Sequence, residues 1–224
     1  MTISGVFING CSFLTPRPKD GVDTHTGIEL AKLLETKVTS SIAMGGRGND
    51  RISFTTKLWY GKNSKDTFAV IGWSSTHRHD YLTNDGWKKG RFTGLESTWR
   101  SWKTADNLKF IDRQLGWDID QQGEMRYIDH VIDLQNFFKL HRIPYVMYNS
   151  LPNKLTNKNK DLIEMASYID KRRFFELESS HYEFVMDKKE IVSPNDPHPS
   201  TEGHVKWAQK IKEFIDANNL RTSE

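Results

Sequence analysis

Cysteine is nearly missing from this chain: Cys11 is the single one among 224 residues. One thiol excludes an intramolecular disulfide and excludes a zinc site built from thiolates alone. Long apolar runs are missing too, so no segment reads as a bilayer span. The N-terminus lacks a basic stretch followed by a long apolar one. A soluble, cytoplasmic protein with no membrane partner is the expectation, with packaging into a virion left open. A large charge excess is also absent, since 32 basic residues face 29 acidic ones for a net charge of +3. The signs alternate along much of the chain, so nucleic acid is not an expected partner. The cluster Lys171-Arg172-Arg173 reads as a solvated helix end rather than a phosphate site. There is no Gly-Lys-Ser or Gly-Lys-Thr, no H-E-x-x-H and no EF-hand pattern. These patterns call for no metal and no cofactor.

Aromatics are plentiful: twelve Phe, seven Trp and seven Tyr within a 36% hydrophobic composition. The length suits a single domain over residues 1–224 with a core of its own. Apolar runs predict strands over residues 5–9, 38–43, 67–73, 144–148 and 174–177. Apolar residues at helical spacing predict helices over 26–35, 51–60, 125–142, 158–169 and 203–218, the first capped by Thr24 or Thr26. Strands alternating with helices imply an α/β fold, a mostly parallel sheet covered by helices on both faces. Residues 81–123, with Trp87, Trp99, Trp102 and Trp117 among Gly and charges, read as a partly helical insertion over a cleft.

Ligands in such sheets sit beyond the C-terminal ends of the strands. Residues 10–13, 45–50 and 72–80 fall at such ends. Ser12, in the first, is a nucleophile if a base takes its proton. Cys11 beside it is a rival, read as a small core residue. The base comes from the other end of the chain, in Asn195-Asp196-Pro197-His198-Pro199-Ser200. His198 would accept the serine proton, and Asp196 would orient the ring and stabilise its cation. Attack on a carbonyl needs donors for the oxyanion. Backbone N–H groups of Gly45-Gly46-Arg47-Gly48 and the side-chain amide of Asn49 could supply them.

Taken together these blocks resemble the SGNH, or GDSL-like, hydrolase superfamily. Gly10-Cys11-Ser12-Phe13 is similar to its first block, 43–48 to its glycine loop, and Asp196 to His204 to its last block. The resemblance implies a three-layer α/β/α sandwich of flavodoxin-like type, ester or deacylation chemistry and no metal. It implies an oxyanion hole from the N–H groups of Ser12 and Gly46, with Gly45 and Gly48 as alternatives. Three positions depart from the pattern. Cys11 stands where the family has Asp, and Ser74 stands where its third block has the asparagine donor. Asn195 occupies the usual carboxylate place, leaving Asp196 or a Ser-His dyad. The expected partner is a small-molecule or carbohydrate ester. Compact phage-encoded proteins with this altered third block suggest the alternative, a glycan-binding or virion protein of the same fold.

Overall fold

The computed structural model describes residues 3–63, 65–76, 78–82, 99–103, 119–153 and 159–221. Five parallel strands form the main sheet in the order β2-β1-β3-β6-β7. They are β1 (Gly5–Gly10), β2 (Val38–Ser41), β3 (Thr67–Trp73), β6 (Tyr145–Asn149) and β7 (Phe174–Phe175). Two antiparallel hairpins stand outside it: β4 (Arg78–Leu82) with β5 (Trp99–Lys103), and β8 (Ile191–Ser193) with β9 (Asp196–Pro199). The helices are α1 (Thr26–Leu33), α2 (Asn49–Tyr60), α3 (Ile119–Leu140), α4 (Lys160–Ser167), α5 (His181–Lys188) and α6 (Thr201–Ala217).

Both faces of β1, β3 and β6 are apolar because helices cover both. Side chains alternate across the strands. Val6, Ile8, Phe68, Val70, Val146 and Tyr148 pack with Leu30 and Ala31 of α1 and with Trp207, Ile211 and Ile215 of α6. Phe7, Ala69, Ile71, Trp73, Tyr145 and Met147 pack instead with residues of α2, α3 and α4, among them Ile52, Val131 and Leu162. The result is a three-layer α/β/α sandwich. Strand order reverses between β1 and β3, which is where such sheets hold ligands.

Several expectations change in detail. β2 and β7 are shorter than read, and α3 begins earlier. The cap of α1 is His25, whose ring accepts from Gly27 N–H, rather than Thr24 or Thr26. The segment expected as a loop around His198 is a hairpin. Lys171-Arg172-Arg173 ends no helix: α4 stops at Ser167, and the three residues lie just before β7 with Arg173 buried. Of the tryptophan-rich segment, Trp99 and Trp102 lie on β5, while Trp87 and Trp117 fall outside the described residues. No helix among the described residues is long and apolar enough to cross a membrane.

Candidate active site

β1 delivers Ser12 to the end of the sheet and stops there for local reasons. A Cβ on Gly10 would lie 2.8 Å from Gly72 O and 2.6 Å from Leu14 Cδ1, so only glycine allows this approach of β1 to β3. Asn9 then anchors the strand end. Its buried amide donates to Ile52 O at 3.0 Å and Thr56 Oγ1 at 2.8 Å, and its Oδ1 accepts from Gly10 N–H and Arg47 Nη1, each at 2.9 Å. A 3-10 turn, Ser12–Leu14, follows. Cys11 turns inward to pack with Phe13 and Val185, which removes it from the cleft, while Ser12 stays half-buried.

The opposing side comes from β9. Successive strand residues face opposite ways, so positions two apart share a side. Asp196 and His198 share a side for this reason, and Asn195 is left exposed in the hairpin turn. His198 Nε2 lies 2.9 Å from Ser12 Oγ, across 186 residues of sequence. His198 Nδ1 lies 2.6 Å from Asp196 Oδ1, which also accepts the His198 backbone N–H at 3.2 Å. Phe13 packs beside the imidazole, with ring centroids 5.2 Å apart.

One participant was not read from the sequence. Arg17 grips Asp196 with both ends of its guanidinium, Nη1 to Oδ1 at 3.0 Å and Nη2 to Oδ2 at 2.6 Å. Its Nε also donates to Asp20 at 2.9 Å. A tight loop closed by the Arg17–Val22 bridge presents it. This bidentate clamp is the largest cause of the lowered Asp196 pKa, pushed down to about 2, with the hydrogen bonds of His198 adding to it. The carboxylate is therefore charged throughout the neutral range.

The glycine loop lies next to the serine. A Cβ on Gly45 would sit 3.8 Å from Ser12 Cβ, and Gly46 has a φ of +80°, the left-handed region that favours glycine. Asp80 fixes the loop by accepting Gly48 N–H at 2.8 Å. Asn49, at the start of α2, is bonded to the Ser74 backbone on both sides. Its Nδ2 donates to Ser74 O at 3.0 Å and its Oδ1 accepts Ser74 N–H at 2.8 Å. That amide positions Ser74 rather than reaching toward Ser12. Asn153 adds a second donor to Ser74 O at 2.8 Å. The Ser74 hydroxyl accepts from Arg78 Nη1 at 3.2 Å, which leaves its own proton to donate. Asn9, Asp80 and Asn153 carry no motif. Buried polar side chains at strand ends are the signal that could have found them.

No family model matches the chain, and no curated protein matches it in sequence. Solved structures do match. The YxiM protein of Bacillus subtilis superposes with a TM-score of 0.56 at 10% identity, over 98% of this chain and 58% of that one. This chain therefore spans little more than half of that protein's length. TesA superposes with a TM-score of 0.51 at 12% identity, over 95% of this chain and 98% of that one. A protein of the G-D-S-L family from Desulfitobacterium hafniense gives 0.48 at 12% identity, over 94% and 99%. The likeness to YxiM and TesA is one of fold: this chain shares their α/β architecture.

Proposed function

We propose that this protein is a serine hydrolase that cleaves acyl esters. The observation that carries the reading is the unbroken line from Ser12 Oγ through His198 to Asp196, with gaps of 2.9 and 2.6 Å. Both fall within hydrogen-bond reach of a nucleophile and base. The short contact of Nδ1 with the Asp196 carboxylate favours the tautomer that donates from Nδ1, which leaves Nε2 to accept. Ser12 Oγ attacks the ester carbonyl carbon as its proton passes to Nε2. The carbonyl π electrons move to oxygen, giving a tetrahedral oxyanion. Collapse breaks the bond to the alcohol oxygen, which leaves with the proton from Nε2. Water then attacks the acyl-serine by the same proton route, releasing the carboxylic acid and restoring Ser12.

Asp196 stays ionised and holds the imidazolium as it forms. Arg17 keeps the carboxylate charged and fixed. The N–H groups of Ser12 and Gly46 and the Ser74 hydroxyl are the proposed oxyanion donors, with Asn49 and Asn153 holding Ser74 in place. The substrate class we favour is an O-acyl, such as O-acetyl, group on a carbohydrate. Tryptophan faces stack on sugar rings, and β5, which carries Trp99 and Trp102, pairs with β4, the strand that follows the C-terminal end of β3.

Hydrolysis of p-nitrophenyl acetate tests the reading. Ser12→Ala should lower the rate by about three orders of magnitude or more. Equal rates for the two proteins would overturn it. One feature favours a second reading, a glycan-binding or virion protein of the same fold: Ser74 stands where the fold's enzymes are expected to offer an amide. A fluorophosphonate separates the two, since labelling at Ser12 requires the nucleophile, base and oxyanion donors together.

A further inference from the structure

The opposite end of the sheet is not closed. A cavity of about 320 Å³ opens between the end of α3 and the strand starts, lined by Phe138, Lys139, Arg142, Ile143, Tyr145, Asp170, Arg172 and Arg173. Tyr145 is the first residue of β6 and Asn149, on the catalytic side, is its last. Four rises of about 3.3 Å put roughly 13 Å of strand between the two ends.

Four of the eight lining residues are cations and one is an acid. That acid is already engaged, since Asp170 pairs with Lys139 at 3.0 Å and accepts the Arg172 backbone N–H at 3.1 Å. Arg173 is the unusual member. It is only 6% exposed, and its Nη1 is buried with no hydrogen-bond partner. No carboxylate pairs with it among the described residues; its guanidinium lies 5.1 Å over the Tyr145 ring. A cation–π contact is worth about 0.5–2 kcal/mol, while a buried charge without a partner costs several. The C-terminal end of α3 brings at most about half a negative charge here, less than one full cation such as Arg173. Arg142 adds a further oddity: its φ of 53° is a left-handed conformation where glycine or asparagine is the unstrained choice.

The geometry points to a binding site for a small phosphate or sulfate ester. The doubly charged oxyanion would neutralise Arg173 and draw in Arg142 and Arg172. An apolar or aromatic body would lie against Tyr145, Phe138 and Ile143. The walls suit this division, since one side is basic and the other apolar, as in most small-ligand pockets. Such a site is independent of ester hydrolysis at Ser12.

Isothermal titration of the full chain with phenyl phosphate tests it, with inorganic phosphate, inorganic sulfate and phenol as companion probes and sodium chloride at matched ionic strength. Phenyl phosphate should bind tightest, inorganic phosphate and sulfate more weakly, and phenol not at all. Arg173→Met keeps the bulk and removes the charge, and should weaken phenyl phosphate by about ten- to a hundred-fold, the worth of one charged hydrogen bond. In phosphate-free buffer this variant should melt no lower than wild type, because the unpaired charge has gone. Arg142→Ala and Arg172→Ala, both on exposed residues, should each weaken binding several-fold. Arg17→Gln, at the catalytic end, should bind phenyl phosphate as wild type does. No heat with millimolar phenyl phosphate would overturn the proposal. So would undiminished binding in Arg173→Met, or in Arg142→Ala and Arg172→Ala should Arg173→Met fail to fold.

Discussion

Acid should unfold this protein well before its carboxylates are protonated, because helix α1 is capped by imidazoles. His25 Nδ1 accepts Gly27 N–H at 3.1 Å, and His204, reaching from α6, accepts Thr26 N–H on its Nδ1 at 3.2 Å. An imidazole accepts only through an unprotonated nitrogen, so both rings must be neutral in the fold. Burial is the main cause that pushes His25 down to about 4, against a smaller opposing pull from Glu29. Burial first, then the charges of His25 and His198, pushes His204 down to about 3. His181, stacked on Trp207 with planes 7° apart, is held well below its ordinary value by burial and by His204.

A histidine whose pKa is depressed by folding contributes stability that is complete above its unfolded value of about 6.5 and lost as pH falls toward the folded value. Between pH 7 and 5 the unfolded rings gain their protons while the folded ones stay neutral. The loss is about 2 kcal/mol for each of His25 and His204, or roughly 4 kcal/mol for the two, with His181 acting in the same direction. A typical domain has only about 5–15 kcal/mol in total. Protonating either cap also removes an acceptor and puts a cation at the positive end of a helix. Asp196, lowered to about 2, contributes in the opposite range, losing its stability only as pH falls from about 4 to 2, so it does not enter this window. Urea unfolding at pH 7, 6 and 5, followed by circular dichroism, reads the effect. His25→Asn keeps a capping oxygen that does not titrate, so its stability should fall less steeply, by about 1.4 kcal/mol per pH unit below pH 6. Equal stability of the wild type at pH 7 and 5 would refute the reasoning, as would an unchanged slope in His25→Asn.

Other outcomes follow from the catalytic end. Arg17→Gln should lower kcat for p-nitrophenyl acetate by about tenfold with little change in KM, because one charged hydrogen bond to Asp196 is worth about 1.5 kcal/mol or more; unchanged kcat would mean that Asp196 needs no clamp. Ser74→Ala should cost about ten- to a hundred-fold in kcat if its hydroxyl reaches the oxyanion, somewhat less than a full amide donor, and an unaltered rate would remove Ser74 from the hole. Gly10→Ala should destabilise the fold by about 2–3 kcal/mol, since Gly72 O is backbone and cannot yield; a melting temperature matching wild type would contradict the close approach of β1 and β3.

Much of the framework was legible because it rests on local pattern. Val6-Phe7-Ile8 and residues 67–73 are apolar at every position, as strands covered on both faces must be, and helical spacing marked α2, α3 and α6. The Asp196–His198 pair was legible as a base and its orienting acid, but not its strand geometry, because a run holding Pro197 and Pro199 reads as a loop. Its strand character puts both side chains on one side and leaves Asn195 in the turn. Nothing local marks Arg17, which meets Asp196 across 179 residues. The basic triplet 171–173 misled for a related reason, since charge in sequence suggests solvent while the turn before β7 buries Arg173.

By itself, then, the sequence determined the alternation of strands and helices, the apolar strands of a two-sided sheet, and the residue types of a nucleophile and its base. These depend on neighbours within a few positions, which periodicity and turn chemistry report. Only the tertiary structure decided which polar groups meet: Ser12 with His198, Asp196 with Arg17, His204 with the start of α1, and Arg173 with the Tyr145 ring, its Nη1 left without a hydrogen-bond partner. Hydrogen bonds and ion pairs act over about 3 Å. Residues more than a hundred positions apart come that close only after the sheet and its covering helices have packed.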